Sequence, residues 1–352
     1  MKKVFAALLC ILILTGCSSK SSAGGDWLLV SGSGRTSSNE NMYFKRDFSA
    51  QNGSKYTLCF VDFDTGKQTV VCPKPNCPHT DPDECFALGF GSSGEAVIAH
   101  GGRIYWVTVE DKGLSFVHSA KTDGTERRKE AELSAQADTL SLLSAGDKLY
   151  IICSDPAFDE YGSFAEKRGA YLYSYDFGNR KTELAADFSD IFPDWEEYLR
   201  VSFKGVFGGR IWFTGNTEKK NRLAATFDLS SGKLKEEDVF PIQIEGGYMI
   251  TEEDGSAVLT AEDGSEKKFE VMEGDIYGYR VVNGKLFIGA GVYDIETGKL
   301  YENLVSTVFW GPKVYKDGKY LIYDWFDWTF EWLDEDEVVG EEISLLATCV
   351  IS

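Results

Sequence analysis

Three cysteines and a histidine crowd into one proline-rich stretch: Cys72, Cys77, His79 and Cys85, interleaved with Pro73, Pro75, Pro78 and Pro82. Three thiolates and an imidazole could close a tetrahedral site around a structural zinc ion, a borderline-soft cation that favours sulfur and nitrogen donors. The spacing is not that of a common zinc finger, and disulfides among Cys59, Cys72, Cys77 and Cys85 are the rival reading. A hairpin turning on Thr65 and Gly66 would set Cys59 opposite Cys72, whereas a glycine bulge would put the two thiols on opposite faces. With Cys10 and Cys17 set aside from the 8 cysteines, Cys153 and Cys349 complete an even set, which in an exported chain favours disulfides.

Other reactive constellations are thin. The 3 histidines are His79, His100 and His118; the last two sit in a turn and a strand and read as structural. The chain has no Gly-x-Ser-x-Gly elbow, no Walker loop and no sialidase-type Asp box. Asp324 and Asp327 could flank a glycosidic bond, but among 56 acidic residues such a pair is expected by chance. No catalytic residue is therefore assigned. Trp325, Trp328 and Trp332, in the run Tyr323 to Leu333, are candidate binding residues if exposed and packed core if buried. The acidic run Asp334 to Glu337 that follows is expected to be a solvated hairpin tip. A formal charge of -20 repels phosphate backbones and excludes nucleic acid as a partner. The basic trio Arg127, Arg128 and Lys129 is flanked by Glu126 and Glu130, and reads as a solvated tip.

The elements that must position these groups are short strands. Asp62-Phe-Asp-Thr-Gly-Lys67 recurs as Asp228-Leu-Ser-Ser-Gly-Lys233 and Asp294-Ile-Glu-Thr-Gly-Lys299, with a degenerate copy from Asp176 to Lys181. Thr122-Asp-Gly-Thr125 and Glu262-Asp-Gly-Ser265 read as tips of the same kind. Asp, Ser and Thr side chains bond turn amides, Gly takes the positive φ, and Lys restarts a strand. A second element, a turn followed by an apolar run, begins at Asn41, Gly102, Asp147, Gly209, Gly247, Gly284 and Gly318. With a short apolar strand upstream of most copies, the units hold roughly four strands in about 30 to 60 residues. The expected fold is all-β: a β-propeller of seven blades, each of about four antiparallel strands, with six or eight as neighbouring counts. Residues 155–169 and 187–197 read as insertions that offer a binding surface on one rim.

The N-terminus leaves the fold argument. Lys2 and Lys3 precede the apolar Val4 to Leu14, and Leu14-Thr-Gly-Cys17 resembles the lipobox of bacterial lipoproteins. That resemblance implies a signal peptide over residues 1–16 and an acylated Cys17. Residues 17–25 then form a flexible tether, and 26–352 a single propeller domain with a Cys/His loop at 72–85. The implied location is the cell membrane, lipid-anchored on its extracytoplasmic face.

The Asp-x-x-Thr-Gly-Lys hairpins resemble those of WD40-like and TolB-like propellers, although the WD40 Gly-His and Trp-Asp signatures are missing. The lipobox, the hairpins and the Cys-x4-Cys-x-His-x5-Cys cluster together resemble a family of Gram-positive propeller lipoproteins that carries no established activity. The lipobox, the repeats and the lack of a catalytic set point to a non-enzymatic binding or scaffold module for an envelope protein, peptide or glycan. The alternative is a carbohydrate-active enzyme using acids and aromatics of the propeller channel.

Overall fold

The computed structural model describes residues 27–30, 36–37, 41–47, 56–62, 67–79, 85–88, 97–109, 115–133, 138–154, 169–195, 197–271, 278–305, 312, 314–324 and 329–343. Cys17, Trp325, Trp328, Asp327, Cys349 and most of the 155–169 insertion lie outside them.

The chain is a β-propeller. Among the described residues its strands form seven antiparallel sheets in sequence order, mostly of four strands laid side by side in the order of the chain. Each of the seven turn-plus-apolar runs foreseen in the sequence becomes the second strand of one sheet: Asn41–Asp47, Arg103–Val109, Lys148–Ser154, Arg210–Thr217, Tyr248–Glu253, Lys285–Ile288 and Lys319–Asp324. The first strands stand at the inner edges, and those of the first six sheets touch one another in chain order.

Seams between sheets hold the molecule. In Lys148–Ser154, Leu149, Ile151 and Cys153 pack toward the second sheet with Ile98, Tyr105 and Val117. Tyr150 and Ile152, on the other face, pack with Phe203, Ile211 and Phe213 of the fourth. Similar clusters join the first sheet to the second, the fourth to the fifth, the fifth to the sixth and the sixth to the seventh. A buried Leu or Ile contributes about 1.5–3 kcal/mol, against at most about 1 kcal/mol for an exposed ion pair such as Lys268–Glu253. The seams therefore outweigh the surface charges.

The hairpin tips close as their side chains dictate. Asp228 Oδ1 accepts from the backbone N–H groups of Ser230 and Ser231 at 3.0 and 2.8 Å. Hydrogen bonds from those two serines pull its carboxyl down to about 2. Gly232 then takes φ +67, and the Asp228 N–H reaches the Lys233 carbonyl at 3.0 Å. Antiparallel alternation puts the turns between first and second strands, and those between third and fourth, on one rim, here termed the turn rim. Cross-turn bonds such as Leu229 N–H to Gly209 O, 3.2 Å, tie them together there. The turns between second and third strands, and the far ends of the fourth strands, lie at the opposite rim.

Two strands depart from the expected units. Trp27–Val30 pairs antiparallel with the innermost strand of the third sheet, Trp27 opposite Ala145 and Val30 opposite Leu142. It also touches the inner strands of the first, second and fourth sheets, so it runs inside the ring, entering at the turn rim. Val339–Glu342 pairs with the outer strand of the sixth sheet rather than extending the seventh. The segment joining the seventh sheet to Val339–Glu342 differs from the sequence expectation: Asp334 to Glu337 is not a hairpin tip but opens a helical turn, Glu335–Val338. The Glu337 carboxylate returns to the Asp334 N–H at 2.8 Å and completes a capping box.

A polar contact also joins the second and third sheets. Glu130, whose side chain is 3% exposed in the second sheet, pairs with Arg180 at a tip of the third. It also accepts from Ser119 Oγ at 2.5 Å, and Ser119 in turn accepts from Arg103 Nε at 2.9 Å. Burial raises the Glu130 carboxyl, but the hydrogen bonds from Ser119 and Arg180 and the charges of Arg180 and Arg103 outweigh it and hold the group low. A carboxyl lowered on folding stabilises the fold above its unfolded pKa of 4.5, and that contribution is lost as pH falls through the folded value. We expect Glu130→Gln to lower the unfolding free energy at neutral pH by about 1–3 kcal/mol, and to flatten the acid-side loss of stability, as measured by denaturant unfolding across pH.

Candidate functional site

The Cys/His loop replaces most of the first sheet's outer strand. Gln68–Val70 is only three residues long. After Val71 donates to the Leu58 carbonyl at 3.0 Å, the chain turns away at Cys72. Pro73, Lys74, Pro75 and Asn76 are exposed, and Asn76 and His79 both take left-handed backbone, φ 57 and 51. The chain is described again at Cys85, which leads the 3-10 helix Phe86–Leu88. Phe86 drops into the seam between the first two sheets, edge-on to Trp106 with ring centroids 5.7 Å apart. The loop docks on the second sheet's outer tip so closely that a Cβ on Gly124 would stand 2.7 Å from Phe86 and 3.1 Å from Pro73.

The four predicted donors converge. One ligand atom from each of Cys72, Cys77, His79 and Cys85 lies within 4.8 Å of all the others. His79 Nδ1 is 3.1 Å from Cys85 Sγ, and Cys85 Sγ is 3.9 Å from Cys72 Sγ. Cys72, Cys77 and Cys85 carry no disulfide. Cys59 does not face Cys72: it stands opposite Val70, two positions off the register of a turn centred on Thr65 and Gly66. The reason is the loop closure, since Asp62 N–H bonds Lys67 O at 3.1 Å and four residues intervene. A backbone hydrogen bond at His79 lowers the Cys77 thiol, while burial pushes the Cys85 thiol up to about 12.

The remaining candidates scatter. His118 Nε2 lies 2.8 Å from Thr108 Oγ1, with its ring stacked on Trp106. His100 stacks on Phe177 at 3.8 Å and meets Ser144 Oγ at 3.3 Å; burial lowers its pKa. Both are packing groups, as expected. The basic trio is exposed, but it is engaged rather than merely solvated. Arg127 lies over Phe86 and Trp106, Lys129 over Phe116, and Arg128 meets Glu126 at 3.1 Å. Residues 155–169 and 187–197 both spring from the opposite rim. The second is no open surface, however, because Phe188, Phe192 and Trp195 turn inward to the core between the third and fourth sheets. Trp332 is partly buried in strand Thr329–Asp334, opposite Leu321.

Sequence reasoning passed over Trp27–Val30. Its signal was a compact apolar run, Trp-Leu-Leu-Val, directly after the tether.

No family model matches the chain, and no curated protein matches it in sequence. Among solved structures it is similar to a puromycin-hydrolyzing peptidase of Mycobacterium tuberculosis, at 11% identity over 92% of this chain and 55% of that one, TM-score 0.52. It also matches the β-propeller domain of the Trilobed protease from Pyrococcus furiosus, at 11% identity over 88% of this chain and 93% of that one, TM-score 0.42. TolB from Acinetobacter baumannii matches at 10% identity over 86% of this chain and 64% of that one, TM-score 0.38. At these identities the likeness is one of fold alone, and the chain spans about half the length of the peptidases it matches.

The burial of the cluster is directly measurable. In reduced, metal-free protein, Cys77 should alkylate at least about tenfold faster than Cys85 near neutral pH. Cys85, its thiol pushed up by burial, should gain rate only at clearly more alkaline pH than Cys77. Peptide mapping after an iodoacetamide pulse gives both rates, and equal rates would contradict the burial of Cys85.

Proposed function

We propose that the chain is a lipid-anchored propeller on the extracytoplasmic face of the cell membrane, a binding or scaffold module for an envelope protein, peptide or glycan. The observation that carries this reading is the path of Trp27–Val30, which enters the ring at the turn rim and pairs inside it. Cys17 stands ten residues before Trp27, a reach of at most about 35 Å. An acyl group there would hold the turn rim toward the bilayer and present the opposite rim, where residues 155–169 leave the third sheet, to the exterior.

The catalytic alternative needs an open channel, and the inner edge of the third sheet is taken by the chain's own strand. The peptidase likeness supports no hydrolysis here, because it is a likeness of fold and the chain lacks a Gly-x-Ser-x-Gly elbow. Among the described residues no helix is long and apolar enough to cross a membrane; the anchor in this reading is an acyl chain on Cys17.

In the producing cell, the wild-type chain should incorporate a fatty-acid label and sediment with membranes. Cys17→Ala should lose the label and leave the membrane fraction. A photo-crosslinker at Lys220 or Asp254, on the opposite rim, should capture an envelope partner that one at Lys233 or Gly264, on the turn rim, does not. An unlabelled wild-type chain would overturn the anchor, and turnover of a polysaccharide by the purified protein would favour the enzyme.

A further inference from the structure

We propose that Cys72, Cys77, His79 and Cys85 bind one zinc ion as a closed structural site that fastens the first sheet to the second. The inference is independent of the anchor, and stands or falls on the loop alone.

The geometry favours a cation over a disulfide. Zinc–sulfur bonds of about 2.3 Å at tetrahedral angles place sulfurs about 3.8 Å apart, whereas a disulfide holds them at about 2.05 Å. Cys72 and Cys85 Sγ are 3.9 Å apart, the edge of a coordination tetrahedron. A disulfide would also use two of three thiols and leave the third beside an imidazole with no role. Instead all four donors converge within 4.8 Å. Convergence has a conformational cost, since Asn76 and His79 hold left-handed backbone that L-residues seldom adopt. Ligation of Cys77 and His79 would offset that cost; solvent contact of the exposed Pro73 to Asn76 would not.

Donor chemistry selects the ion. Thiolate-rich sets reject calcium and magnesium, which require oxygen, and a tetrahedral three-sulfur, one-nitrogen set suits zinc. Four protein donors leave no position for water or substrate, so the site is structural. On binding, the three thiols release their protons, the imidazole binds as the neutral base, and no electrons move.

The position explains the use. With an outer strand of three residues, against five in the second sheet, the first sheet has a short ladder at that edge. The zinc would tie Cys72, at the end of that strand, to Cys85, which fixes Phe86 in the seam with Trp106 and Ile104. Cys85, Ala87 and Leu88 form a small apolar cluster with Val70, Cys72 and Cys77, shielding the site on its inner side.

The test uses the full chain, purified in detergent under reducing conditions, stripped of metal and titrated with cobalt(II) and then zinc(II). One cobalt per chain should give the intense visible bands and thiolate charge transfer of a tetrahedral site, and one zinc should displace it. Cys77→Ser, at a partly exposed position that leaves the core intact, should weaken zinc binding by at least about 100-fold, beyond the effect of losing an outer-shell partner. Cys153→Ser should leave the stoichiometry unchanged. Zinc should raise the midpoint of thermal unfolding of the wild type but not of Cys77→Ser. A pale, octahedral cobalt spectrum, or unchanged zinc affinity in Cys77→Ser, would overturn the proposal. So would a Cys72–Cys85 disulfide found by mass spectrometry of protein taken from the cell without reductant.

Discussion

Among the described residues the second to sixth sheets each pack on two neighbours, and most of the sequence answers to that constraint. A strand in an ordinary sandwich alternates apolar and polar, because one of its faces meets water. In Lys148–Ser154 six of seven residues are buried, with successive side chains committed to different seams. The apolar content of the chain is thus concentrated in second and third strands, and its charge is pushed outward to fourth strands such as Arg128–Glu132 and Glu266–Glu270.

That concentration made the fold legible before any coordinates. The seven apolar runs and the Asp-x-x-Thr-Gly-Lys tips are local signals, each set by residues within a single hairpin. Asp294 Oδ1 accepts from Thr297 N–H and Oγ1, both at 2.8 Å, as the turn chemistry requires. The Cys/His cluster was legible for the same reason, since its donors lie within one loop. Reading failed where an outcome depends on loop length or on distant partners. The Cys59 register turned on whether the loop closed at Asp62 and Lys67 or nearer the glycine. The inward turn of Phe188, Phe192 and Trp195 depends on a gap between the third and fourth sheets that no local pattern reveals. Trp27–Val30 pairs with a strand far along the chain, and nothing in its own residues names that partner.

The Cys/His loop and Glu130 solve one problem by different means. Neighbouring sheets are held chiefly by apolar contact, which resists separation but tolerates sliding. Directional contacts fix relative position. Glu130 and Arg180 do so for the second and third sheets, and Phe86 with the close approach at Gly124 does so for the first and second. Both lie toward the turn rim, where the hairpin tips are already bonded to one another.

The inner strand also sets an order of events. Residues 27–30 are made early, yet the strand that completes their hydrogen bonds, Asp138–Ala145, is made only after two whole sheets have followed. Until then an apolar tetrapeptide with unmet backbone groups is exposed. Contacts of such sequence separation are slow to form, because the loop between them must be ordered first. The chain therefore cannot finish folding from its N-terminus forward. The third sheet becomes the checkpoint of assembly, and a chain interrupted before it would carry an unpaired strand suited to joining another copy's edge.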